Sequence, residues 1–83
     1  MSRIEFRLPE LGDEAGDEAT VSFWYYEEGE RVAEGEDLVE MVTDKATFNV
    51  PSPVKGKMLE IVVGDGEKAK VGDLLAVLEG TDD

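Results

Sequence analysis

The sequence predicts an all-β domain, and three observations carry that expectation. Apolar residues alternate with polar ones in short runs. Glycine and proline separate the runs. No window of twelve or more residues keeps the 3.6-residue period of an amphipathic helix. In chain order, Ile4, Phe6 and Leu8 alternate with Glu5 and Arg7, and Val21, Phe23 and Tyr25 repeat that spacing. Leu38 to Val42 is apolar except for Glu40, and Phe48 and Val50 flank Asn49. Met58 to Val63 and Leu74 to Leu78 complete the set. Strict alternation would put Val21, Phe23 and Tyr25 on one face, with Trp24 and Tyr26 on the other.

An internal repeat sharpens the fold class. A shift of about 37 residues lays Gly29-Glu30-Arg31 on Gly66-Glu67-Lys68, and Gly35-Glu36 on Gly72-Asp73. It also lays Leu38-Val39 on Leu75-Ala76, and Trp24-Tyr25-Tyr26 on Ile61-Val62-Val63. Each half reads as strand, Gly-acid turn, Gly-acid turn, strand. A unit that cannot bury its own apolar face does so against a second copy. The expectation is a sandwich or a flattened barrel, with quasi-twofold symmetry between two sheets.

Composition excludes much chemistry. The 83 residues allow one domain and bury only about 60% of the unfolded surface. With 8 Lys and Arg against 21 Asp and Glu, the formal charge is -13, which argues against binding a phosphate backbone. No apolar stretch approaches the roughly 20 residues that span a bilayer, and residues 1–5 show no apolar signal core. The chain has neither Cys nor His. It therefore lacks disulfides, the usual zinc ligands and the commonest general base, so no catalytic residue and no metal ligand is assigned. Ser52 and Thr47 have no base to activate them. Any chemistry here would be carried by a group the chain does not encode.

The segment Val42-Thr43-Asp44-Lys45-Ala46-Thr47-Phe48 is the most informative. Apolar runs flank it, and Asp44-Lys45 falls where a tight reversal would form. An Asp there can bond nearby backbone N–H groups. A tight hairpin would push the Lys45 side chain into solvent at its tip. An isolated amine on a protrusion suits covalent modification, and a turn lysine also simply aids solubility. The residues alone leave both open.

Leu8-Pro9-Glu10-Leu11-Gly12, Trp24, Gly29-Glu30-Arg31-Val32, Gly35-Glu36, Thr43-Asp44-Lys45-Ala46-Thr47 and Val50-Pro51-Ser52-Pro53-Val54-Lys55-Gly56 together resemble a lipoyl domain. Such domains belong to the dihydrolipoamide acyltransferase subunits of 2-oxo acid dehydrogenase complexes. The resemblance runs from about Ile4 to Glu79. It implies two four-stranded antiparallel sheets with a lysine at a hairpin tip, over residues 1–80, with 81–83 starting a linker. It implies lipoate in amide linkage to Lys45, with Asp44 and Ala46 shaping the hairpin for the lipoate-attaching enzyme. The implied role is a carrier, not itself an enzyme. A thiamine-dependent 2-oxo acid decarboxylase component loads the arm, the acyltransferase core passes the acyl group to coenzyme A, and dihydrolipoamide dehydrogenase reoxidises the arm. No nucleic acid or membrane partner is implied. The isolated domain would be a monomer, in a bacterial or archaeal cytoplasm or a mitochondrial matrix.

The resemblance has departures. The segment from Gly12 to Thr20 is one residue longer than usual, and Glu14 and Ala19 stand where the family often has glycines. In relatives this segment lies near the hairpin and helps the decarboxylase recognise the domain. Glu14, Asp17 and Glu18 are therefore the expected partner-recognition residues. They sit in an acidic stretch from Glu10 to Glu30 that holds no basic residue and would steer the domain toward basic rims on its partners. A biotin carrier shares the architecture but flanks its lysine with Met, unlike Asp44 and Ala46. A non-catalytic acidic module binding a basic partner is the other alternative. Ala46 and Pro51-Ser52-Pro53 favour a pyruvate complex over a 2-oxoglutarate one.

Overall fold

Each of the six apolar runs forms a strand in the computed structural model, which describes residues 2–11 and 16–80. The strands are β1 (Ser2–Arg7), β2 (Glu18–Trp24), β4 (Asp37–Val42), β5 (Thr47–Pro51), β6 (Gly56–Ile61) and β8 (Leu74–Gly80). Two more, β3 (Arg31–Val32) and β7 (Lys68–Lys70), are too short for alternation to mark them. Each turns one apolar side chain inward, Val32 and Ala69 respectively. The linker expected at 81–83 lies outside the described residues.

The strands form two antiparallel four-stranded sheets, ordered β1-β8-β6-β3 and β5-β4-β2-β7. A 37-residue shift carries β2, β3 and β4 onto β6, β7 and β8, so one order is the other's copy. The turns repeat at the atomic level. Glu30 accepts the Glu27 N–H through its carboxylate at 2.7 Å, and Glu67 accepts that of Gly64 at 2.6 Å. Glu36 accepts the Ala33 N–H at 3.1 Å, and Asp73 that of Lys70 at 2.9 Å. Each Gly-acid turn thus places its glycine at positive φ and uses the acid to satisfy a backbone donor three residues back. Part of the chain's acidity is structural.

Side chains from both sheets meet in one core. Leu8, Leu38, Met41, Met58, Leu75 and Leu78 are fully buried. Trp24 packs edge-on against Phe6 of the other sheet, with centroids 6.1 Å apart. Gly56 faces Gly80 across the ladder, and a Cβ at Gly56 would collide with the Glu79 carbonyl.

The predicted face assignment in β2 fails after Val21. A bulge at Ser22 adds one residue between Val21, opposite Met41, and Phe23, opposite Glu40. The alternation flips there. Val21 and Trp24 point inward, while Phe23 and Tyr25 stand exposed as an edge-to-face pair 4.8 Å apart. The second half repeats the bulge at Leu59, between Met58 and Glu60.

Candidate functional site

The β4–β5 hairpin carries the predicted lysine. Its last ladder pair is Val42 with Thr47, which leaves residues 43–46 as the tip. The Thr43 N–H donates to the Ala46 carbonyl at 2.8 Å, and Asp44 and Lys45 lie between them. Met41 and Val50, buried below, anchor the two arms of the hairpin in the core. A rigid, packed base therefore supports an exposed tip.

Lys45 is exposed at that tip and makes no ion pair with any described residue. Its ε-amine is therefore exposed and not held in a salt bridge to any described residue. A primary amine so placed fits an amide bond to a carboxylic acid such as lipoate.

Asp44 and Ala46 flank it, both exposed. The expected turn bonds from the Asp44 carboxylate are not formed with any described residue. Thr43 makes them instead. Its hydroxyl accepts the Ala46 N–H at 3.1 Å and the Lys45 N–H at 3.3 Å, and donates to the Ala46 carbonyl at 3.3 Å. A hydroxyl can donate as well as accept, and at the first loop position it reaches both amides; a carboxylate one residue later only accepts. Sequence reasoning passed over Thr43, although a threonine opening a tight turn is itself a signal.

A groove of about 400 Å³ runs beside the tip. Asp17, Glu18 and Thr20 form one side, Thr43, Asp44 and Lys45 the other, and Lys68 of β7 reaches in. Asp17 and Glu18 thus line the same groove as the lysine. Glu14 lies outside the described residues. The other described acidic residues of the stretch do not line this groove. Glu28 accepts the Ile61 N–H at 2.8 Å, Glu30 closes its turn, and Glu10 borders a separate hollow with Leu11 and Phe48. Pairing of β2 with β7 explains Lys68, which sits opposite Thr20. No sequence signal places it there, because β7 itself is unmarked.

Ser52 is the one buried polar side chain among the described residues. Its hydroxyl donates to the Val54 carbonyl at 2.6 Å and accepts the Val54 N–H at 3.3 Å. It stabilises the Pro51-Ser52-Pro53 corner.

Comparison with known proteins agrees with this geometry. Residues 4–78 match the biotin/lipoyl family model, described as "Biotin-requiring enzyme". The succinyltransferase component of the 2-oxoglutarate dehydrogenase complex of Bartonella vinsonii subsp. berkhoffii is 49% identical over 90% of this chain. The acetyltransferase component of the pyruvate dehydrogenase complex of Staphylococcus epidermidis is 36% identical over 95% of it. The chain spans 18% of the length of each. The solved lipoyl domain of the 2-oxoglutarate dehydrogenase complex from Azotobacter vinelandii superposes with a TM-score of 0.73 at 33% identity. That match covers 94% of this chain and 99% of that one. A single-chain, multi-domain long-chain acyl-CoA carboxylase superposes at 0.76, but at 22% identity and over 7% of its own length, a likeness of fold alone. With its two matching halves, its exposed hairpin lysine and these relatives, the chain belongs to the biotin/lipoyl family as a lipoyl domain.

Proposed function

We propose that Lys45 carries lipoate and that the domain presents this arm to the active sites of a 2-oxo acid dehydrogenase complex. The supporting observation is the exposed Lys45 amine, free of ion pairs to described residues, at the tip of a hairpin anchored in the core. Lipoate supplies a dithiolane that takes up an acyl group and two electrons. The chain's residues supply placement. Attachment would join the Lys45 Nζ to the carbonyl carbon of a lipoyl group activated by the attaching enzyme, forming an amide as the activating group leaves and the amine gives up protons, which removes the ammonium charge. Asp44 and Ala46 give the lipoate-attaching enzyme the shape it grips. Asp17, Glu18 and Asp44 then leave a negative groove beside the arm, suited to a basic rim on the decarboxylase component.

The other partners are the acyltransferase core and dihydrolipoamide dehydrogenase, with the domain acting as a carrier between them. On the 2-oxo acid, the higher identity to the succinyltransferase component, 49% against 36%, supports a 2-oxoglutarate complex over the expected pyruvate one.

The test is intact-mass analysis after expression with a lipoate ligase and lipoate, and in parallel with a biotin ligase and biotin. The expected result is a gain of one lipoyl group, lost in Lys45→Gln. No lipoyl gain, a gain that survives Lys45→Gln, or preferential biotinylation would overturn the proposal.

A further inference from the structure

Two-residue hairpin turns usually adopt primed geometries, which need residues at positive φ and so favour Asn-Gly or Gly. The turn here is Asp44-Lys45, and neither residue has positive φ. Unprimed turns splay the two strands, so the backbone alone closes such a tip poorly. One reciprocal bond is present, from the Thr43 N–H to the Ala46 carbonyl at 2.8 Å. The other donor, the Ala46 N–H, is taken by the Thr43 hydroxyl at 3.1 Å, and the same oxygen accepts the Lys45 N–H at 3.3 Å. As donor the hydroxyl returns to the Ala46 carbonyl at 3.3 Å. Its one donor and two acceptor sites are all used on the two residues that follow Asp44.

We infer that Thr43 is a positioning residue for the modification of Lys45. Its hydroxyl stands in for the missing positive-φ turn and holds the Lys45 backbone at the apex, so that the amine emerges in one direction. The inference rests on the reading of Lys45 as the attachment site. Thr43 does not touch the incoming group. Its effect passes through the backbone amides of Lys45 and Ala46. The surrounding hairpin does not depend on it, because the β4–β5 ladder and the buried Met41 and Val50 lie below the tip.

The decisive variants are Thr43→Val, which keeps the shape and removes the hydroxyl, and Thr43→Ser, which keeps the hydroxyl. In the unmodified domain, amide exchange followed by NMR should be about tenfold faster at Lys45 and Ala46 in Thr43→Val, the scale of one lost hydrogen bond. With a lipoate ligase, attachment to Thr43→Val should slow about tenfold, in kcat more than in KM, because the rest of the domain is still gripped. Thr43→Ser should restore both to within about twofold. Wild-type exchange and attachment in Thr43→Val would overturn the inference. So would failure of Thr43→Ser to rescue, or loss of the fold in Thr43→Val, which would mark the hydroxyl as a general structural element. If the wild-type domain gains no lipoyl mass, the reading of Lys45 falls, while amide exchange still decides the part played by Thr43.

Discussion

Trp24 donates its indole N–H to the backbone carbonyl of Val63, 2.9 Å away and 39 residues on in the chain. The bond ties the first half of the domain to the second, and the ring spans the sheets to meet Phe6. Replacing Trp24 with Phe keeps most of the apolar contact and strands a carbonyl. The expected loss is about 1–2 kcal/mol, against about 3–5 kcal/mol for Trp24→Ala, where the packing goes as well. Urea unfolding followed by circular dichroism measures both, since these variants have no tryptophan fluorescence. Equal losses would show that the packing contributes nothing beyond the hydrogen bond, and no loss in Trp24→Phe would show that the hydrogen bond contributes nothing beyond packing.

Two glycines should respond differently to alanine. At Gly56 the new methyl would run into the Glu79 carbonyl of β8, a backbone atom that cannot rotate away. The expected cost is about 3 kcal/mol or more, or failure to fold. At Gly35 there is open space, and the penalty is only that of holding alanine at a φ of 88°, about 1–2 kcal/mol. Thermal unfolding of the two variants ranks them. A Gly35→Ala domain less stable than Gly56→Ala would contradict the packing account.

The Tyr26 hydroxyl donates to Glu36 at 2.8 Å, and its pKa is raised. The hydrogen bond to Glu36 is the main cause, followed by partial desolvation and then the charges of Glu36 and Glu30. A raised phenol pKa means the folded chain keeps that proton to higher pH than the unfolded chain does. The resulting stabilisation is full below the ordinary tyrosine value of about 10 and fades as pH rises through the folded value. Stability should therefore drop in this alkaline window in the wild type and drop less in Tyr26→Phe. Chemical denaturation at stepped alkaline pH checks it, and identical profiles would remove Tyr26 as the source.

Only Asp17 and Glu18, among the described members of the acidic stretch, share the groove with Lys45. Reversing both to Lys should slow acyl loading by the decarboxylase component about tenfold at low salt. The deficit should shrink as salt screens the field, while lipoate attachment stays within about twofold. Stopped-flow acylation across ionic strengths is the measurement. A deficit independent of salt would point to contact rather than steering.

Much of this domain was legible in one dimension, and the exceptions have specific causes. The 37-residue repeat held because its Gly-acid turns are chemically complete units, each satisfying its own backbone donor. Strands β3 and β7 escaped notice because two or three residues cannot display a period. Phe23 and Tyr25 were placed on the face of Val21 because a bulge at Ser22 leaves no mark in an apolar-polar pattern. The acidic stretch read as one field near the lysine, yet Glu28 and Glu30 are occupied with backbone groups elsewhere.

The sequence by itself determined the all-β class, the symmetric halves, the family and the place of Lys45 at a hairpin tip. These follow from residue types at fixed local spacing, and spacing survives in one dimension. Only the tertiary structure decided that Lys68 joins the groove, that Trp24 locks one half to the other, and that Thr43 rather than Asp44 closes the tip. Each of these depends on where a side chain's polar atom lies relative to backbone groups or strands. That position is fixed by sheet pairing, bulges and turn geometry, and a linear pattern does not encode it.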